Sequence, residues 1–251
     1  MIKVEKINKR YGSHLVLKDL DLSIPKGKIV SIIGPNGSGK STLLGAISRT
    51  LELQSGLVWI DSVELAMWNS NELAKRLAIM KQSENIDVKI TVNDLVSFGR
   101  FPHSKGRLTE FDFQKIEEAL AYFDLQSIRN RYIDELSGGQ KQRAYIASIF
   151  AQDTDYILLD EPLNNLDIKY ASDLLKLLRR MADTFNKTII LVIHDINFAS
   201  SYSDYLILLK DGVVAEAGDV SEIMKAPVLK RIYDLDFKVI EVDGKRICTY
   251  Y

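Results

Sequence analysis

The stretch "KIVSIIGPNGSGKS", Lys28 to Ser41, constrains this chain more than any other part of it. An apolar strand runs into a glycine-rich loop and then a helix, the context in which G-x-x-x-x-G-K-[ST] binds phosphate. Glycines at 34, 37 and 39 let backbone N–H groups curl around the β- and γ-phosphates of a nucleotide. The helix amino terminus adds partial positive charge there, and Lys40 adds a full one. Ser41 is placed to hold Mg²⁺ through its hydroxyl, and Pro35, Asn36, Ser38 and Thr42 complete the nucleotide-contacting stretch. ATP or GTP binding follows, but not the task, because folds with such a loop serve motors, switches, kinases and transporters alike.

With 251 residues the chain can bury a large α/β core, or a core with a subdomain. Its formal net charge of −1 leaves no global positive field to recruit nucleic acid or an anionic membrane surface. The single cysteine, Cys248, fits a reducing compartment and reads as a small, partly buried apolar residue. The start, "MIKVEKINKR", is charged where a signal peptide is apolar, and no apolar run approaches the ~18 residues of a membrane span. The expectation is a soluble, cytoplasmic chain that reaches a membrane only through a partner.

Short apolar runs separated by helical patterns suggest α/β layers. "IKVEKI", "LVLKDLDLSI" and "GKIVSIIG" read as strands, with Pro25 to Gly27 as a turn that suggests an antiparallel start. "GLVWID" and "RLAIMKQ" add strands, the latter reaching Gln82. From Thr91 to Ala151 the apolar spacing turns helical, with Thr109 and Asp112 as a capping pair, which suggests a helical subdomain inserted into the core. "YILLDE" and "TIILVIHD" read as buried central strands around the helix "YASDLLKLLRRMADTF". Asp211-Gly212 and Asp243-Gly244 mark two hairpins.

Asp160 and Glu161 end the strand "YILLD", which would bring both carboxylates to the carboxyl edge of the sheet beside the phosphate loop. Asp160 is the natural second-shell Mg²⁺ ligand, and Glu161 is placed to polarise the water that attacks a γ-phosphate. His194 ends the next strand, where an imidazole could sense the γ-phosphate. Gln82 could touch Mg²⁺ or the attacking water, and Tyr11, in the loop after the first strand, could stack on a purine. His14 and His103 read as exposed structural residues.

"LSGGQ", Leu136 to Gln140, combines a hydroxyl, two glycines and the start of a helix but no lysine, so it looks like half of an anion site. Together with the other motifs it resembles the ATP-binding subunits of ABC transporters, over essentially the whole chain. The order is the family's: Tyr11, Gly34 to Ser41, Gln82, Ser137 to Gln140, Asp160 and Glu161, Asp167, and His194. The resemblance implies an α/β fold: a RecA-like P-loop NTPase core with an antiparallel β subdomain and an inserted α-helical subdomain. Residues 1–251 would form a single ATP-binding domain, with the helical part at about 91–151.

The resemblance also implies a homodimer in which two subunits meet head to tail. The Ser137 hydroxyl, the Gly139 N–H and the helix amino terminus would contact the γ-phosphate held by the other subunit, with Gly138, Gln140 and Asp167 at the same junction. One departure is "EPLNNLD", with Leu163, Asn164 and Asn165 where the family often has threonine and a small residue.

A finer resemblance, carried by "SFGRFPHSKGRLTEFD", "IHDINFASSYSDYLILLKDG" and the ending "IYDLDFKVIEVDGKRICTYY", is to importers of ferric siderophores, the petrobactin group included. It implies docking at the cytoplasmic face of a permease through a groove near Gln82 to Arg100, with an extracytoplasmic siderophore-binding protein acting through that permease. Heme and cobalamin importers are close neighbours. ABC ATPases of DNA repair or translation usually carry coiled-coil or zinc insertions or tandem ATPase units, which this chain lacks.

Overall fold

In the computed structural model, which describes residues 1–81 and 89–250, the chain begins with β1 (Ile2–Tyr11), β2 (His14–Ile24), β3 (Ile29–Ile33), α1 (Lys40–Ile47), β4 (Ser55–Ile60) and β5 (Val63–Glu64). It continues through α2 (Ser70–Arg76), β6 (Leu77–Met80), α3 (Val92–Phe98), α4 (Phe101–Ser104), α5 (Glu110–Tyr122), α6 (Gly138–Ala151), β7 (Tyr156–Asp160) and α7 (Ile168–Phe185). It closes with β8 (Thr188–Val192), α8 (Ile196–Tyr202), β9 (Tyr205–Lys210), β10 (Val213–Asp219), α9 (Val220–Ile223), α10 (Ala226–Tyr233), β11 (Phe237–Val242) and β12 (Lys245–Tyr250). Two units result, Met1–Trp68 with the chain from Arg179 onward, and Asn69–Leu178, the division falling within α7.

In the first unit an antiparallel sheet has the order β2-β1-β4-β5. Ile2 of β1 pairs with both Ile24 and Ile60, and Val4 with Leu22 and Val58. The register shifts between Val4 and Ile7, where Lys6 has φ 46°, and this extra residue returns Ile7 to the buried face. β3 is buried at every position and lies between β8 and β9, parallel to both. The antiparallel start expected from the sequence therefore holds for β1 and β2 but not beyond. β3 leaves its predecessor because a strand apolar on both faces needs cover on both, which a parallel sheet supplies.

Asp211-Gly212, with φ 52° and 84°, turns β9 into antiparallel β10, and Asp243-Gly244, with φ 50° and 74°, turns β11 into β12. Beneath these, Ile33, Leu206, Leu208, Leu229 and Ile232 belong to one buried cluster with Cys248. Cys248 is fully buried, deeper than its sequence suggested.

In the second unit β6 and β7 run parallel, Leu77 opposite Tyr156 and Met80 opposite Leu159. β6 ends at Met80, and Gln82 lies outside the described residues. Thr91 and Thr109 each form a capping box, with Asp94 and Asp112, so α3 and α5 begin where their side chains satisfy the first free N–H groups. Arg100, almost wholly buried, donates to Asp112 Oδ1 at 2.8 Å and to the Ala151 carbonyl at 2.8 Å, tying α5 to the end of α6. α7 starts at Ile168, earlier than the sequence indicated, with Asp167 accepting from the Tyr170 N–H at 2.9 Å. No described helix is long and apolar enough to cross a membrane.

Candidate nucleotide site

The phosphate loop lies in the first unit, directly after β3. Lys40 is buried, and its Nζ donates to the carbonyls of Gly34 at 2.9 Å and Pro35 at 3.0 Å, so the ammonium is tucked under the loop. Gly34 is pressed against β9: a Cβ there would stand 2.0 Å from the Leu209 carbonyl oxygen. The Ser38 hydroxyl is buried and has no hydrogen-bond partner among the described residues. Leaving such a group unpaired costs about 1–3 kcal/mol, which an incoming phosphate oxygen would relieve. α1 starts from Gly39 with no side-chain cap and no acidic residue in its first turn, so its amino-terminal N–H groups meet no competing carboxylate of their own helix. A buried ammonium, an orphaned hydroxyl and an uncapped helix start fit the phosphates of a nucleotide, and Ser41 stays exposed one residue further on.

Tyr11 is not in a loop but is the last residue of β1, paired with His14 across the turn. Its ring is 51% exposed, with the Lys9 ammonium 5.1 Å from the centroid, so one face is already engaged by a cation. β1 reaches this far because its pairing with β2 continues to the turn. His194 is exposed, two residues beyond β8, and the Asp195 carboxylate after it caps α8. His14 is exposed at the start of β2, and His103, in α4, is bonded to the Gln152 carbonyl at 2.9 Å.

In the second unit Asp160 ends β7, and Glu161 has the left-handed φ of 50°, costly for a side chain of this size. The turn after it is closed by the Asn164 N–H on the Glu161 carbonyl at 3.2 Å and by the Leu166 N–H on the Leu163 carbonyl at 3.2 Å. The Asn164 side-chain amide also donates to Glu161 Oε2, so the carboxylate is oriented from within the turn that follows it. Gln142, in α6, donates to the Pro162 carbonyl at 2.7 Å and ties this turn to the helix that follows "LSGG".

That helix, α6, opens with a capping box: the Gln140 N–H meets Ser137 Oγ at 3.4 Å, and the Ser137 N–H donates to Gln140 Oε1 at 3.2 Å. Ser137 and Gly138 are exposed, whereas Gly139 is buried against the Tyr170 ring, 3.0 Å from where a Cβ would sit. In this bond Ser137 Oγ accepts, so its O–H proton takes no part in the capping box and can be donated to another acceptor. The residues 137–140 and the Glu161–Asp167 turn are thus brought together through Gln142 and Tyr170. Sequence reasoning overlooked both of these and the bond from Asn164. Gln142 lies within the "KQR" that follows the glycines, and one helical turn would have placed it on the face of Gly138.

The first unit carries a phosphate loop after a buried strand, and the second a carboxylate turn packed on the glycine-bearing start of α6. Residues 17–164 match the ABC transporter family, and the chain belongs to that family. It is 50% identical to the petrobactin import ATP-binding protein YclP of Bacillus subtilis (strain 168), over 100% of both chains. It is 44% identical to the petrobactin import ATP-binding protein FatE of Bacillus anthracis, again over 100% of both. Among solved structures it is similar to MJ0796, a dimeric ATP-binding cassette in a post-hydrolysis state bound to ADP and Pi, with 31% identity, a TM-score of 0.77, and coverage of 88% of this chain and 99% of that one.

Proposed function

We propose that this chain is the ATP-hydrolysing subunit of an importer that carries a ferric siderophore, petrobactin or a chelate of its kind, across the cell membrane. The identity of 50% to a petrobactin import ATP-binding protein, sustained over the full length of both chains, carries this reading. ATP with Mg²⁺ supplies a γ-phosphate open to attack by water. The loop N–H groups, Lys40 and the Ser38 hydroxyl hold the phosphates, and Tyr11 offers its free ring face to the purine. Ser41 would hold Mg²⁺, with Asp160 and Gln82 as the further residues assigned to the ion, which would draw charge from the γ-phosphate oxygens. Glu161 polarises the attacking water, held in orientation by Asn164, and His194 donates to the γ-phosphate.

The exposed Ser137 and Gly138, at a helix start without its own lysine, meet the phosphate loop of a partner subunit. Two such contacts close a two-fold homodimer, with Asp167 at the junction. The two units of the chain act as one ATP-binding domain. It sits on the cytoplasmic face of the membrane against a permease, to which a siderophore-binding protein delivers the chelate from outside.

The test is ATPase activity of the chain co-reconstituted with its permease, in the presence of binding proteins loaded with ferric petrobactin, heme or cobalamin. Stimulation by the ferric-petrobactin-loaded protein is expected. Stimulation by heme or cobalamin alone would overturn the substrate, and stimulation by none would overturn import.

A further inference from the structure

α8 spans Ile196–Tyr202, with only its N-cap Asp195 between it and His194. The Asp195 carboxylate accepts from the N–H groups of Asn197 at 2.8 Å and Phe198 at 2.9 Å, which fixes where the helix starts. A helix of two turns cannot hold itself in water and must be held from the side. The carboxyl-terminal hairpin does this. Asn197 Oδ1 accepts from the Cys248 N–H at 2.8 Å while Asn197 Nδ2 donates to the Cys248 carbonyl at 3.1 Å, so one side chain takes both backbone groups of one strand residue. One turn on, the Ser200 hydroxyl donates to the Arg246 carbonyl at 2.5 Å. Arg246 in turn donates to the Ser221 carbonyl, within α9.

The dependence runs both ways. Among the described residues β11 and β12 pair only with each other, and a lone two-stranded hairpin is marginal in water. Cys248 is buried in the cluster that holds Ile33, the last residue before the phosphate loop, and Ile196 and Ala199 of α8. Tyr233 packs against the same cluster. Its hydroxyl is driven well above its usual range by burial and then by the nearby Cys248, with the Gly34 amide opposing. The end of the chain therefore rests on both the root of the phosphate loop and the helix that carries on from His194.

We propose that the carboxyl-terminal hairpin is a positioning element for hydrolysis, in which Asn197, locked to the backbone of Cys248, holds α8 and so sets where His194 stands. This rests on the reading of His194 as the γ-phosphate donor. Asn197 touches no nucleotide in this scheme. Losing it should leave nucleotide affinity intact while His194 spends less time in place.

The experiment uses the full chain and Asn197→Ala, with Lys238→Ala on the exposed side of β11 as a control. Hydrogen exchange of the nucleotide-free protein reads the lock directly: peptides covering 193–203 should exchange about tenfold faster in Asn197→Ala. Steady-state hydrolysis should show kcat down by about five- to tenfold, with KM and the dissociation constant of a fluorescent ATP analogue within about twofold. Lys238→Ala should change neither readout. If Asn197→Ala does not fold, Ser200→Ala removes one bond of the same lock and should move both readouts in the same direction.

Unchanged exchange at 193–203 overturns the proposal. So does faster exchange with wild-type kcat, which would make the hairpin merely structural. His194→Ala separates the two readings: wild-type turnover in that variant would remove the role assigned to His194, while the exchange result on Asn197→Ala would still report on the lock.

Discussion

Replacing Gly34 with alanine should damage the phosphate loop more than the same change at Gly37, although both have positive φ. At Gly34, φ 149°, a Cβ would lie 2.0 Å from the Leu209 carbonyl oxygen, a full ångström inside the 3.0 Å below which such contacts are essentially never found. The oxygen belongs to the backbone of β9, which is paired with β10 on one side and β3 on the other, so it cannot swing away. Backbone strain of about 1–2 kcal/mol adds to about 1–3 kcal/mol of overpacking. At Gly37, φ 77°, nothing lies within 4 Å and only the backbone cost applies. At roughly 2–4 °C per kcal/mol for a chain of this size, Gly34→Ala should lower Tm by about 4–20 °C and Gly37→Ala by about 2–8 °C. Because the Gly34 carbonyl accepts from Lys40 Nζ, displacing it also moves the ammonium. The loss of one charge-assisted bond makes nucleotide binding by Gly34→Ala at least about tenfold weaker. Differential scanning calorimetry and titration with a fluorescent ATP analogue read both effects. Equal losses in the two variants would refute the argument from close approach.

Glu161→Gln should bind ATP and accumulate as a dimer with turnover nearly lost; rapid steady-state hydrolysis by it would remove the role given to Glu161. Ser137→Ala, or a bulky residue at exposed Gly138, should spare ATP binding by the monomer but weaken ATP-driven dimerisation in size-exclusion chromatography, and normal dimerisation would exclude contact between subunits at this helix start. Asn164→Ala frees the Glu161 carboxylate from its donor and should lower kcat by about threefold to tenfold with KM for ATP unchanged, as expected for a lost bond of about 1 kcal/mol. Arg100→Ala leaves Asp112 buried without its cation and should cost about 3–5 kcal/mol in denaturant unfolding. Burial alone would push the Asp112 carboxyl up, but the Thr109 amide and hydroxyl and the Arg100 guanidinium together bring it below its usual value. An acid with a lowered folded value contributes stability above its ordinary value of 3.8, and loses it as pH falls through the folded value. Asp112→Asn should therefore flatten that acid limb in melts recorded across it.

The Thr109–Asp112 capping box, the two Asp-Gly hairpins and the strand-loop-helix at Gly34 to Ser41 were legible because each is written in a few consecutive residues. Capping needs a threonine and an acid three apart, a tight hairpin needs two left-handed positions, and a phosphate loop needs glycines at fixed spacing. The partner of β3 was not legible, since an apolar run shows that a strand is buried without naming its neighbours. Tyr11 at the end of β1 was missed for a related reason: polar residues near a turn read as loop, while pairing with β2 keeps them in the strand.

What the sequence determined by itself are local patterns: a phosphate-loop motif with Lys40 and Ser41, carboxylates at 160 and 161, and a second helix start at Ser137. Local geometry follows from covalent spacing. Only the tertiary structure decided how the groups are held. Asn164 on Glu161, Gln142 on the Pro162 carbonyl, Tyr170 on Gly139 and Asn197 on Cys248 are contacts in which either partner alone reads as an ordinary polar or aromatic residue. The last pair is separated by 51 residues, and only packing of the final hairpin against α8 brings it within bonding distance.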